Sequence, residues 1–263
     1  MSAPRVISSN KAFREHYHDL TRGDLVLGVL NLTPCEETLF VDLLTRGVRF
    51  IPSALSQLLS KSKAFQAQVY QSIMFPRTKV IRNRYDLILA INEYQEAGVG
   101  EVVTKQDRAN CGLGIHRWRH VEDVYNQACF GTLAYPFVLQ PFVPGVRDVR
   151  VIILDDYVEA YWRHNPVNFR NNLYHGGLSG PYDLSDEELT FCRQAMKRGG
   201  FPYAHLDLML PEGGGLYLSE ISLRGGLKGA RIGKEEYRRR IEAIHQGLAE
   251  KYLASVSSPS RVE

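Results

Sequence analysis

Residues 149–163 constrain the fold of this chain more than any other stretch. Residues 149–154 and 157–163 both read as strands, and only Asp155 and Asp156 separate them. A two-residue connection between strands of this kind closes a tight antiparallel hairpin. A second pair, 206–210 and 216–222, is joined through Pro-Glu-Gly-Gly-Gly and reads the same way. The C-terminal half must therefore contain an antiparallel sheet, and its apolar face needs a covering layer.

Helical patterns supply that cover. Ser185-Asp-Glu-Glu188 is a capping box that opens a helix ending at Gly199-Gly200. Residues 235–254 form a long helix whose apolar stripe is Tyr237, Ile241, Ile244, Leu248 and Tyr252. Upstream, 25–32 reads as a buried strand, 36–45 as a helix and 48–51 as a second strand, a small β-α-β opening. A helix over 55–70 is followed by Pro76, another spans 86–97 with Gly98 beyond its end, and a third covers 121–128. Short strands are expected at 101–104 and 137–139. The class is α+β, built from two or three small lobes, with 255–263 as a loose tail.

Composition narrows the function. The net charge of +3 is too mild to argue for nucleic acid, and the Arg238-Arg239-Arg240 run fits a solvated helix face. No apolar run is long enough for a membrane span, and the first twenty residues carry no apolar signal core. Cys35, Cys111, Cys129 and Cys192 are scattered without paired spacing, which favours reduced thiols and a cytoplasmic setting. Cys111, inside a glycine loop, is the one suggestive thiol.

That loop, Lys105-Gln-Asp-Arg-Ala-Asn-Cys-Gly-Leu-Gly-Ile115, follows the 101–104 strand. Gly112 and Gly114 free the backbone to approach a ligand, and a lysine beside open N–H groups suits a polyphosphate. An ordinary connecting loop is the alternative. Asp207, Glu220 and Ser222 form a second cluster. Glu220 and Ser222 share a strand face, and pairing Pro211 with Leu216 sets Asp207 opposite Glu220. Two carboxylates and a hydroxyl suit Mg²⁺ or Mn²⁺; a solvated edge hairpin is the other reading.

Arg163, Arg170 and Asn172, followed by His175-Gly-Gly177, form a donor-rich loop matched to phosphate or carboxylate oxygens, or a surface loop with ordinary ion pairs. Arg147-Asp148-Val149-Arg150 is either a turn salt bridge or a further cationic contact. Phe137–Val143 is an apolar strand that breaks at Pro141, leaving backbone that could meet a base edge.

In this order and spacing the clusters resemble the ATP-grasp superfamily, in the branch of ribosomal-protein glutamate ligases, lysine-biosynthesis ligases and glutathione synthetases. The likeness runs from about residue 63 to the end of the last helix. It is strongest in FRNNLYHGG (169–177) and in LDLML…LYLSEISLRGGLKG (206–229), which is similar to the family ending VDLL…LEVNSSPGLEG. The resemblance implies a short N-terminal α/β lobe (1–60), a nucleotide-binding lobe with a glycine-rich flap (61–140) and a C-terminal lobe with the metal site (141–254).

It also implies roles. Lys63 and Lys105 would contact ATP phosphates beneath the flap 106–114 with Gly112 and Gly114. Gln140, Phe142 and Val143 would form the adenine hinge. Arg163 and Asn172 would hold the transferred phosphoryl group, with Arg150 and Arg170 beside them, and Asp207, Glu220 and Ser222 would bind magnesium. Ser222 stands where the family usually has asparagine, Pro141 where it has glutamate, and the N-terminal lobe is shorter than most.

The implied activity is ATP-dependent carboxylate–amine ligation through an acyl phosphate. A small-molecule kinase and a non-catalytic nucleotide-binding regulator are the alternatives. Arg147, Arg150, Arg170 and Arg224 point to an acidic small molecule, peptide or carrier-protein tail as substrate, with no nucleic-acid or membrane partner. A homo-oligomer is compatible with the resemblance.

Overall fold

Strand alternation and helix capping distribute the chain over three sheets. The computed structural model describes residues 3–109 and 112–257. The first sheet is parallel, in the order β1 (Val6–Ile7), β2 (Leu25–Leu27), β3 (Arg49–Ile51). Helices α1 (Asn10–His16) and α2 (Thr38–Thr45) cover it, and Phe13, Phe40, Leu43 and Phe50 fill its core. The β-α-β opening is as expected. The strand expected over 25–32, β2, stops at Leu27, however, because Gly28 at φ +112° turns the chain out of the sheet.

The helix expected over 55–70 is two helices, α3 (Ala54–Lys61) and α4 (Lys63–Val69). Ser62 breaks them at φ −120° and ψ 115°, and its hydroxyl accepts from the Phe65 N–H. A new N-terminus therefore begins at Lys63, and this break places that side chain in the site below.

The second sheet has the order β4 (Lys79–Ile81), β7 (Phe137–Pro141), β5 (Val102–Gln106), β6 (Ile115–Trp118). Helices α5 (Arg84–Glu96) and α6 (Val121–Cys129) pack on one face of it around Leu87, Tyr94, Val124 and Phe137. The strand expected at 101–104 is β5, and the glycine loop leads into a further strand, β6, paired antiparallel to it with Lys105 opposite Ile115.

The third sheet, β10–β9–β8–β11–β12, is antiparallel throughout. It comprises β8 (Arg147–Leu154), β9 (Tyr157–His164), β10 (Leu178–Pro181), β11 (Tyr203–Leu210) and β12 (Tyr217–Ser222). Asp155 turns the first hairpin at φ +60°, as the two-residue connection requires. Helix α7 (Asp186–Gly199) starts at the Ser185 capping box and ends at left-handed Gly200.

Helix α8 (Lys234–Ser257) packs its expected stripe against the third sheet through Tyr237, Ile241 and Ile244 and against the first through Leu248 and Tyr252. It carries residues 255–257 of the expected tail as helix, and 258–263 lie outside the described residues. Arg239 and Arg240 pair with Glu236, and Arg240 also reaches Asp156, as a solvated face would. Among the described residues no helix is long and apolar enough to cross a membrane. Cys35, Cys129 and Cys192 are free thiols; Cys111 lies outside the described residues.

Candidate active site

Antiparallel register lines up charged residues across one face of the third sheet. Tyr161 pairs with Arg150, Arg150 with Asp207, and Asp207 with Glu220. Directly opposed residues share a face, so these four form a transverse row over four strands. A second row alongside joins Arg163 to Asp148. The β11–β12 ladder carries an irregularity between Asp207 and Leu208: Leu208 pairs with Leu218, and Ser219 is the extra residue. The turn end is thus one residue out of the expected register, and the bulge restores Asp207 to its place opposite Glu220.

The row is closely ion-paired. Arg150 donates twice to Asp207, at 2.7 and 2.8 Å, and Arg163 reaches the same carboxylate at 2.9 Å. Arg163 also donates through Nε to Asp148 at 2.9 Å. Burial alone would raise the Asp207 carboxyl, but the two guanidiniums hold it well below the ordinary carboxylate range. Asp148 goes the other way, because burial outweighs the help of Arg163. Arg150 and Asp148, read from sequence as a turn salt bridge or a cationic contact, are thus framework for the carboxylate and guanidinium at the centre. Finding that required knowing that β8 lies between β9 and β11, a long-range pairing with no local signal.

The two lysines converge on Glu220 and its neighbour. Lys63, at the start of α4, donates to the Ala109 carbonyl at 2.6 Å and lies 3.4 Å from Glu220 Oε1. Lys105 donates to the bulge hydroxyl of Ser219 at 3.2 Å. Burial pushes the Lys105 ammonium down from the usual lysine range, and the Glu220 carboxylate opposes the shift. Ser222 donates its hydroxyl to the Arg224 carbonyl.

The glycine loop and the 164–177 loop meet over this floor. Gly112 sits at φ +73°, and a Cβ there would press on the Asn172 side-chain amide. The left-handed backbone favours glycine there. Gly114, also at φ +73°, accepts from the Gln106 N–H at 2.8 Å and closes the loop onto β5. Arg170 lies across the Phe169 ring and donates to the Ile115 carbonyl, so it ties the donor loop to β6. Asn172 caps the short helical turn Leu173–His175 by accepting from the His175 N–H.

At the other end, the buried Gln140 amide donates to Met209 Sδ, and Phe142 donates its N–H to the Glu101 carbonyl. The next backbone donor along the hinge is therefore Val143, since Pro141 has none. One cavity of about 1580 Å³ takes in Lys63, Lys105, Gly112, Gln140, Phe142, Val143, Arg150, Arg163, Arg170, Asn172, Asp207, Glu220 and Ser222. Gly114 and His175 lie outside its lining, and Gly114 acts through the loop's shape.

Residues 56–243 match the RimK-like ATP-grasp domain. The chain belongs to that family. Among curated relatives, the coenzyme gamma-F420-2:alpha-L-glutamate ligase of Methanocaldococcus jannaschii is 25% identical over 205 residues, 75% of this chain and 70% of that protein. D-alanyl-alanine synthetase A of Vibrio cholerae superposes with a TM-score of 0.60 at 13% identity, covering 85% of this chain and 77% of that one. The ATP-grasp ligase PsnB, solved with a phosphomimetic precursor variant, Mg and ADP, gives a TM-score of 0.55 at 19% identity over 80% and 67% of the two chains. Those two solved structures share the ATP-grasp fold with this chain.

In this RimK-like ATP-grasp chain Asp207 and Glu220 face one cavity, with the Asp207 oxygens accepting from Arg150 and Arg163 and Glu220 beside Lys63. No cluster of three or more His, Cys, Asp or Glu side chains is gathered for a metal among the described residues. Two opposed carboxylates are nevertheless the complement that Mg²⁺ uses when substrate phosphates and water supply the remaining oxygens.

Proposed function

We propose that this chain is an ATP-dependent carboxylate–amine ligase that forms an amide or peptide bond and releases ADP and phosphate. One observation carries the reading: the row Arg150–Asp207–Glu220, the two lysines and the glycine flap all face one cavity. The family and the ligase among its curated relatives support the reaction class.

The chemistry asks little of the protein beyond placement and charge. A substrate carboxylate oxygen attacks the γ-phosphorus of ATP, the bond to the β-phosphate oxygen breaks, and an acyl phosphate and ADP result. An amine then adds to the acyl carbon, the carbon–oxygen bond to phosphate breaks, and the amine loses its proton. Lys63 and Lys105 hold phosphate oxygens, Val143 offers its N–H to the adenine edge, and the flap excludes water. Arg163 and Asn172 steady the transferring group. Asp207 and Glu220, with Ser222, are the residues that would hold Mg²⁺, which supplies charge neutralisation at the phosphates. No covalent enzyme intermediate is needed.

The substrates we assign are acidic. Arg150 and Arg163 are engaged by Asp207, and Arg170 by a carbonyl. Arg224 remains on the cavity rim after β12, and Lys228 lines it while donating to the Leu173 carbonyl at 2.9 Å. They occupy the positions of a serine and a glutamate in the similar family ending, so the rim is more cationic than that ending prescribes. A second carboxylate on the small molecule, peptide or carrier tail matches it.

The test is turnover of Mg·ATP with pools of carboxylates and amines, scoring ADP and phosphate together. Equal release of both, dependent on an amine, is expected. ADP without phosphate would make the chain a kinase, and nucleotide binding without turnover would make it a regulator.

A further inference from the structure

The flap carries a cation that does not face the phosphates. Arg108, in the middle of the glycine loop's ascending limb, sends its guanidinium away from the cavity to Glu37. The two groups form a bidentate pair at 2.8 and 2.9 Å, with side chains 27% and 12% exposed. Arg108 also lies over the Phe65 ring, 5.7 Å from its centroid. Glu37 belongs to the N-terminal lobe, at the residue that opens α2.

Arg108 adopts φ +59°, a left-handed conformation that a side chain of its type rarely takes. Such a backbone persists where surrounding contacts over-determine it. Here they come on three consecutive residues. The Asp107 carboxylate accepts from the Ser62 hydroxyl at 2.9 Å and the Ala64 N–H at 3.0 Å. Arg108 holds Glu37, and the Ala109 carbonyl accepts from Lys63. Two of these tethers end at the start of α4, which the nucleotide-binding lobe supplies. Only the third crosses to the N-terminal lobe.

We propose that Glu37 and Arg108 form a clasp by which the short N-terminal lobe positions the nucleotide flap. Glu37 is a positioning residue in this scheme: it touches no phosphate and acts through Arg108. The lobe then serves the nucleotide site. The inference rests on the ATP-binding reading above, since the flap has a ligand to close on only if that reading holds.

The experiment is titration of a non-hydrolysable ATP analogue with Mg²⁺ into the full chain, its E37Q and R108M variants, and the E37R/R108E swap. Hydrogen exchange across 106–114 is followed in parallel. A bidentate, partly buried pair predicts at least about fivefold weaker analogue binding in each single variant. Exchange should rise in the flap while the third sheet keeps wild-type protection, and the swap should recover most of the affinity. Wild-type affinity and flap exchange in E37Q would overturn the clasp. Failure of the wild-type chain to bind the analogue would instead remove the ATP reading on which the clasp depends. E37Q nearly preserves shape, so its third-sheet protection reports whether the fold is intact.

Discussion

The charged row of the third sheet and the glycine flap above it face the same cavity but are held in place by opposite means. The row is positioned by backbone register: Tyr161, Arg150, Asp207 and Glu220 are neighbours because four strands pair in one alignment. Among the described residues the flap has no ladder beyond Gln106, and it is positioned by side chains, through Asp107, Arg108 and the carbonyl of Ala109. Damage to the buried part of the row, Arg150 and Asp207, should therefore cost stability as well as chemistry, whereas damage to the flap should cost affinity far more than stability. A rigid floor suits metal and phosphoryl groups whose geometry must be preset, and a tethered cover suits a nucleotide that must enter and leave.

The largest effect expected is that of Asp207→Asn. It leaves Arg150 and Arg163 facing a neutral amide in a buried place, which costs about 3–5 kcal/mol of folding stability and removes turnover. Urea unfolding measures the first. A loss under about 1 kcal/mol would mean that the row is not structural. Glu220→Ala separates the two roles. Its side chain is one-third exposed, so turnover should vanish while the unfolding midpoint barely moves. Wild-type-like activity in that variant would dismiss the metal site.

Lys105→Ala should weaken nucleotide binding about tenfold to a hundredfold by removing a charge-assisted phosphate contact. An unchanged Kd would reassign the lysine to structure. Gly112→Ala probes the cover alone: its Cβ meets the Asn172 side-chain amide in a left-handed backbone. The KM for ATP should rise severalfold, with a stability loss of about 1 kcal/mol or less. A fall in stability comparable to that of Asp207→Asn would erase the contrast between floor and cover. The smallest change is Ser222→Asn, which restores the side chain usual in the family. It should tighten Mg²⁺ dependence by no more than about threefold, at the cost of the hydroxyl bond to the Arg224 carbonyl.

The same contrast explains what could be read from the amino-acid order. Alternation and turn chemistry are local, so both hairpins were legible, and with them the pairing of Asp207 with Glu220. The bulge at Ser219 was not, because nothing near it signals an extra residue. The Ser62 break in the 55–70 helix was also hidden: apolar periodicity continues across it, and the capping serine reads as an ordinary polar position. Arg150 and Asp148 were visible as charges, but their partners are more than fifty and fifteen positions away in strands whose order no local pattern states. The clasp of Arg108 on Glu37 spans 71 residues and two lobes, and a surface-charge reading of either residue is equally consistent with sequence.

One measurement bears most directly on the site as a whole: calorimetric titration of a non-hydrolysable ATP analogue into the wild-type chain and Glu220→Ala, each with and without Mg²⁺. The geometry predicts binding that Mg²⁺ strengthens in the wild type and leaves unchanged in the variant. A folded wild-type chain that binds nothing, or a Mg²⁺ response that survives the loss of Glu220, would contradict it.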